Sequence, residues 1–228
     1  MTIKPAWILA VIGVGLLALP TSVVAIESER TKPQPVVVLE LFTSQGCSSC
    51  PPADELLSQI NNLNEEHKLP VVCLSFHVDY WNCLGWSDPY SKAQFTERQR
   101  DYARAFESRR VYTPQLIVNG QIEFVGSKAS AAREAIRKAL EVPARVQVEL
   151  KAKWEESKSL ANVEYSLRGD FKESVLNVAV VQKLGENPVP RGENAGRALA
   201  HVNIVRELQT LAIKQRSGRV SIDLPKGL

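Results

Sequence analysis

The chain has 228 residues, 28 Lys and Arg against 25 Asp and Glu, a formal charge of +3, and 4 cysteines. Basic residues are interspersed with acidic ones, which excludes a nucleic-acid stripe and describes a solvated surface. Four cysteines are too few for a disulfide-stapled scaffold, whereas the length is ample for one large or two small domains with a true core.

The N-terminus reads as a targeting segment. Lys4 gives a positive start, Ala6–Leu19 is an apolar run of about 14 residues, and Val23-Val24-Ala25 offers small residues for cleavage. That run falls short of the roughly 20 residues that span a bilayer. Residues 1–25 are therefore expected to be a secretory signal, and an uncleaved membrane anchor is the other reading. Export to the periplasm or the exterior places the cysteines where a disulfide persists.

A buried strand is expected over Pro35–Phe42, followed by the turn Cys47-Ser48-Ser49-Cys50. A helix from about Pro52 to Leu63 sets Leu56, Leu57, Ile60 and Leu63 on one face. Val71–Val78 is a second apolar strand, and Gln94–Arg109 a polar helix turning Phe95, Tyr102 and Phe106 inward. Gln115–Val118 and Gln121–Val125 flank Asn119-Gly120, the strongest short hairpin signal because both residues tolerate positive φ. Ser127 is the expected N-cap of a last helix carrying Ala132, Ile136 and Leu140.

This order predicts an α/β thioredoxin-like fold over residues 26–142, with the cysteine turn at the end of its first strand. Beyond Val142-Pro143 the pattern alternates at Val146, Val148, Leu150, Ala152 and Trp154, and further short strands follow. That spacing predicts a small β-rich, sandwich-like C-terminal domain over residues 143–228. The segment Val189–Arg197 reads as a loop joining two of its strands, with a ligand or partner site as the lesser alternative.

Two cysteines separated by two residues, between a buried strand and a helix, are a thiol–disulfide constellation. The positive end of a helix favours a thiolate, so Cys47 is the expected exposed nucleophile and Cys50 the deeper resolving thiol. Pro51-Pro52 complicate this, since a proline beyond the first turn loses a ladder bond. A zinc site needs a second ligand pair, and the sequence has no second CxxC or closely spaced histidine pair. No metal and no cofactor are expected. Thr113-Pro114 precedes the third strand, where a cis bond facing the cysteines is expected against a general rate of about 5–6% for X-Pro bonds. With Thr113 and Pro114, Trp81 and Trp86 are the candidate substrate-binding residues; sealing the core beneath their loop is the alternative for the tryptophans.

Several stretches in order resemble a bacterial family of secreted thioredoxin-like proteins of unknown function. They are Leu41–Asp54, Phe76–Trp81, Leu84-Gly85-Trp86, Val111–Gln115 and Arg191–Arg197, and together they reach across nearly all of the mature chain. The resemblance implies a thioredoxin-like fold and an extracytoplasmic location, and brings no reaction with it. The Ser-Ser between the cysteines is unlike the pairs of well-known thioredoxins and disulfide-forming enzymes, which leaves the redox direction open. Against the family's pattern, Cys83 stands where an aromatic residue is expected, and the C-terminal sheet is expected to be incomplete.

Three functions follow. The first is an extracytoplasmic thiol–disulfide oxidoreductase acting on a thiol- or disulfide-bearing protein, with no nucleic-acid partner and no membrane contact beyond the signal segment. The second is a binding module whose CxxC is a structural disulfide. The third is a metallochaperone that adds His77 to the cysteines. Hydrogen bonding at the top of a sheet is the plainer role for His77 and Asp79. Cys73 is expected to be a buried, inert thiol, and Cys83 either an auxiliary thiol or a plain loop residue.

Overall fold

The computed structural model describes residues 34–155 and 159–225. The expected signal segment, residues 1–25, lies outside the described residues. Among the described residues no helix is long and apolar enough to cross a membrane. In chain order the elements are β1 (Val37–Thr43), α1 (Pro51–His67), β2 (Val71–His77), a 3-10 turn (Asn82–Leu84), α2 (Ala93–Ala105), β3 (Gln115–Val118), β4 (Ile122–Val125), α3 (Ala129–Leu140), β5 (Val146–Glu155), β6 (Leu160–Gly169), β7 (Val175–Pro188), β8 (Ala198–Ala212) and β9 (Ser217–Asp223).

Six strands form one sheet in the order β4-β3-β1-β2-β8-β7, and three form a second, β5-β6-β9. This overturns the expected α/β thioredoxin-like fold followed by a sandwich-like domain. Among the described residues the architecture is β-rich with three α-helices, and two strands assigned to the C-terminal domain are built into the first sheet. β8 meets β2 in parallel at Ser75 and Ile204, while β7 and β8 pair antiparallel over their whole lengths. Alternation in a sequence reports which face of a strand is buried, not which strand it pairs with. Ile204 and Val205 are adjacent and both fully buried, as suits a strand covered on two faces.

The sheet carries apolar layers on both faces. Val37, Leu39, Leu41 and Cys73 pack with Ala53 and Leu57 of α1 and Ala132 and Ala135 of α3. Phe42, Phe76 and Ile117 pack with Phe95 of α2 and with Val205 and Leu208 of β8. A third cluster joins Leu176, Val178 and Val180 of β7 to Ala161, Val163, Val220 and Ile222 of the small sheet. β7 thus serves both sheets.

A carboxylate sits against this core. Glu40 in β1 is buried, and both its oxygens accept hydrogen bonds from Arg98, each 2.7 Å, with the Tyr102 hydroxyl donating at 2.8 Å. A buried carboxylate is tolerated when it is paired and hydrogen-bonded in this way. Two helical expectations shift. Lys128, not Ser127, occupies the N-cap of α3. Leu63 is 51% exposed, and Asn61 turns inward to meet Asn203 of β8 at 2.7 Å.

Candidate functional site

β1 ends at Thr43, and the turn that follows delivers Cys47 and Cys50 to the start of α1. The two are joined in a disulfide with their Cα atoms 5.5 Å apart, in the usual range for such a bond. Cys50 is the N-cap residue, and Pro51 and Pro52 fill the first two helical positions. An N–H there has no helical partner, so the prolines lose nothing. The next two amides, of Ala53 and Asp54, both donate to the Cys50 carbonyl, at 2.8 and 3.1 Å. Those amides are therefore engaged on a carbonyl.

The expected exposed nucleophile is not found. Cys47 and Cys50 are both 0% exposed in the disulfide, while Ser48 and Ser49 between them face solvent. Side-chain hydroxyls attend the sulfur. Thr113 Oγ1 donates to Cys47 Sγ at 3.2 Å and itself accepts from the Trp81 indole at 2.8 Å. Ser49 Oγ lies 3.3 Å from the same sulfur and 3.4 Å from the Thr113 carbonyl. The Thr113-Pro114 bond is cis. Trp81 thus acts through Thr113. Trp86 reaches the Gln45 side chain instead, at 3.2 Å, and braces the turn from behind.

A hydroxyl aimed at sulfur favours a thiolate once the disulfide opens, and a hydrogen bond to a charged group is worth about 1.5–3 kcal/mol. Thr113→Val is accordingly expected to slow alkylation of reduced Cys47 near neutral pH by about tenfold or more. The pH profile of that reaction should move to higher pH. Equal rates in the two proteins would show that the hydroxyl does not act on the thiolate.

Val189–Arg197 is a strand connection, as its sequence predicts, but its contacts with the cysteine turn were not foreseen. This connection between β7 and β8 lies over the cysteine turn. Asn194 is buried, and its amide donates to the carbonyls of Gln45 and Cys47, 2.9 Å each. Arg197 donates to Asn194 Oδ1 at 3.0 Å, and the Ser48 N–H donates to Glu193 at 2.8 Å. Hydrogen bonds from Ser48, side chain and backbone, hold the Glu193 carboxyl below its usual range. Gly192 and Gly196 have φ of 85° and 81°, the left-handed region that glycine enters freely. The signal was present as a run of polar and glycine residues, but such a run describes any loop.

Behind the turn lies a buried polar cluster. His77 pairs with Asp88 and not with Asp79. Its Nδ1 donates to Asp88 Oδ2 at 2.7 Å, and the same oxygen accepts the Gln45 N–H at 2.8 Å. Asp88 Oδ1 accepts the Tyr90 N–H at 3.0 Å. Burial opposes ionisation of Asp88, but His77 and these N–H groups outweigh it and hold the carboxyl below its ordinary range. Asp79 accepts from the Thr96 hydroxyl at 2.6 Å. His201 of β8 meets His77 edge to face at 4.5 Å between ring centres. No cluster of three or more His, Cys, Asp or Glu suited to a metal ion occurs among the described residues. Cys73 and Cys83 are both free, so the two do not bridge. Burial pushes the Cys73 thiol up to about 12, as befits an inert core residue. Cys83 is exposed, its sulfur 3.4 Å from the Tyr80 carbonyl.

A family model described as a protein of unknown function, DUF1223, matches residues 38–227. No curated protein matches the chain. Among solved structures, the crystal structure of protein AGR_C_4864 from Agrobacterium tumefaciens is similar, with 32% identity and a TM-score of 0.62. The likeness covers 83% of this chain and 79% of that one.

Proposed function

The chain belongs to the DUF1223 family, whose function is unknown, and we propose that it is a thiol–disulfide oxidoreductase working through Cys47 and Cys50. The observation that carries this is the donor relay onto Cys47 Sγ, Trp81 to Thr113 to sulfur. A hydroxyl polarised by one donor and aimed at sulfur offers what a departing or attacking thiolate needs. Location in the periplasm or outside the cell is part of the same reading, because a CxxC disulfide persists in an oxidising compartment.

In the reducing direction the Cys47 thiolate attacks one sulfur of a substrate disulfide. The Cys47–sulfur bond forms, the substrate S–S bond breaks, and the departing thiolate takes up a proton. Cys50, having given up its proton, then attacks Cys47 and expels the second substrate thiolate. The pair is left oxidised and the substrate has gained two electrons. The same steps run backward oxidise a dithiol.

Burial of both cysteines favours a second reading, a structural disulfide. His77, which a copper-carrying role would have used, is held by Asp88. One experiment separates the two readings. With Cys50→Ser, an oxidoreductase is expected to accumulate mixed disulfides through Cys47 in its native compartment, seen as mass adducts for small thiols and on non-reducing gels for protein partners, and absent from Cys47→Ser/Cys50→Ser. Failure to trap any partner, together with a wild-type potential far below about −300 mV, would establish the structural bond instead.

A further inference from the structure

A pocket of about 410 Å³ opens beside Ser48, between the start of α1 and the start of β8. Pro51, Pro52 and Leu199 give it apolar walls, while Asp54, Glu55, His201 and Arg197 supply its polar groups. Asp54 is 7% exposed and His201 2%. Neither carboxylate oxygen of Asp54 and neither ring nitrogen of His201 has a hydrogen-bond partner. Their closest approach, Nδ1 to Oδ1, is 3.5 Å. Buried polar groups in a native fold are nearly always satisfied by protein or water, so four atoms without a hydrogen bond beside one cavity mark it as a place for a polar guest.

We propose that this pocket binds the substrate of the cysteine pair, and that the substrate is a small thiol or disulfide bearing an α-amino-acid group, of the cysteine and cystine class. The proposal rests on the oxidoreductase reading above. Asp54 with His201 answers an ammonium group from the floor. The Arg197 guanidinium answers a carboxylate, for which its fork is the fitting partner. The prolines and Leu199 cover the intervening carbons. The volume lies at the small end of ligand pockets, which run about 300–1,000 Å³. Access argues the same way. Both cysteines are buried and the Asn194 and Glu193 contacts hold a loop over their turn, which disfavours a protein-sized disulfide, whereas this pocket opens at Ser48 beside it. With cystine, Cys47 attacks one sulfur, one cysteine leaves and takes a proton, and Cys50 expels the second. The products are two cysteines and the oxidised pair.

The test uses the oxidised full chain and S-methyl-L-cysteine, which has the amino-acid group and no thiol. Calorimetry, with amide shifts at Ser48 and at residues 198–201, is expected to show binding in the millimolar range or tighter. Asp54→Asn, or N-acetylation of the probe, should weaken it about tenfold or more, as should Arg197→Gln or the probe's methyl ester. The modified probes keep the test decisive if Asp54→Asn does not fold. Absence of binding at millimolar concentration, or equal affinity across these variants and probes, would overturn the proposal. A protein whose disulfide exchanges with dithiothreitol but which binds no probe refutes the pocket alone. Probe binding to a protein whose disulfide exchanges with no thiol refutes the oxidoreductase reading and with it the substrate role of the pocket.

Discussion

Asn194→Ala is expected to destabilise the protein by about 2–4 kcal/mol and to open the disulfide to bulky thiols. The amide gives both its hydrogens to carbonyls of the cysteine turn, so its loss strands the buried Gln45 carbonyl at about 1–3 kcal/mol and leaves the Cys47 carbonyl with the Cys50 N–H alone, at about 1 kcal/mol more. The loop itself should survive. Val189 N donates to the Arg197 carbonyl and Gly196 N to the Val189 carbonyl, both at 2.8 Å, so its neck is closed independently of Asn194. What changes is its grip on the turn. Each 1.4 kcal/mol lost from that grip raises the open population about tenfold. Attack on the Cys47–Cys50 bond by a protein-borne thiol should therefore quicken by about 10–100-fold, while attack by a small thiol entering beside Ser48 should change far less. Glu193→Gln, an exposed change that keeps an acceptor for Ser48, is the matched control. Urea unfolding and reduction kinetics decide the matter. A variant that loses stability with no gain in reduction by the bulky thiol would make Asn194 a scaffold residue with no part in access.

That Asn194 escaped the sequence reading has a physical cause. The contact joins residues 45–47 to residue 194, nearly 150 positions away in the chain. Local rules act over three or four residues along a helix and two along a strand, and they carry no information across such a span. The features that were legible are the local ones. The strand entering Cys47, the turn, the Asn119-Gly120 hairpin between β3 and β4, and the cis bond at Pro114 each follow from neighbours in sequence. The overall architecture was not legible, because it depends on β8 choosing β2 as its partner. Strand pairing of that kind is settled by packing: Val205 and Leu208 complete the layer under Phe42 and Phe95. The exposure of Cys47 was misjudged for the same reason, since Thr113 at its sulfur and Asn194 at its carbonyl stand 66 and 147 positions away.

Asp88→Ala is expected to be the more damaging of the two substitutions, at about 3–5 kcal/mol, the range found when one partner of a buried charged pair is removed. The carboxylate satisfies three groups at once: His77 Nδ1, the Gln45 N–H and the Tyr90 N–H. His77 and Asp88 are both buried, so no water takes over these bonds. Gln45 lies two residues before Cys47, and its release loosens the turn that presents the disulfide. Asp88→Asn, which keeps the shape without the charge, separates the electrostatic part. The sign of its pH dependence follows from the lowered carboxyl. A group whose acidity is strengthened by folding contributes stability that is complete above its ordinary value, about 3.9, and is lost as pH falls through the folded value. Wild-type protein should therefore lose stability steeply as pH falls below about 4, and Asp88→Asn should start lower and fall less over that window. Urea titrations at neutral pH and across the acid range measure both slopes. If the variant's acid slope matched the wild type, or if Asp88→Ala lost less than about 1 kcal/mol, the carboxylate would not be the anchor of the cysteine turn.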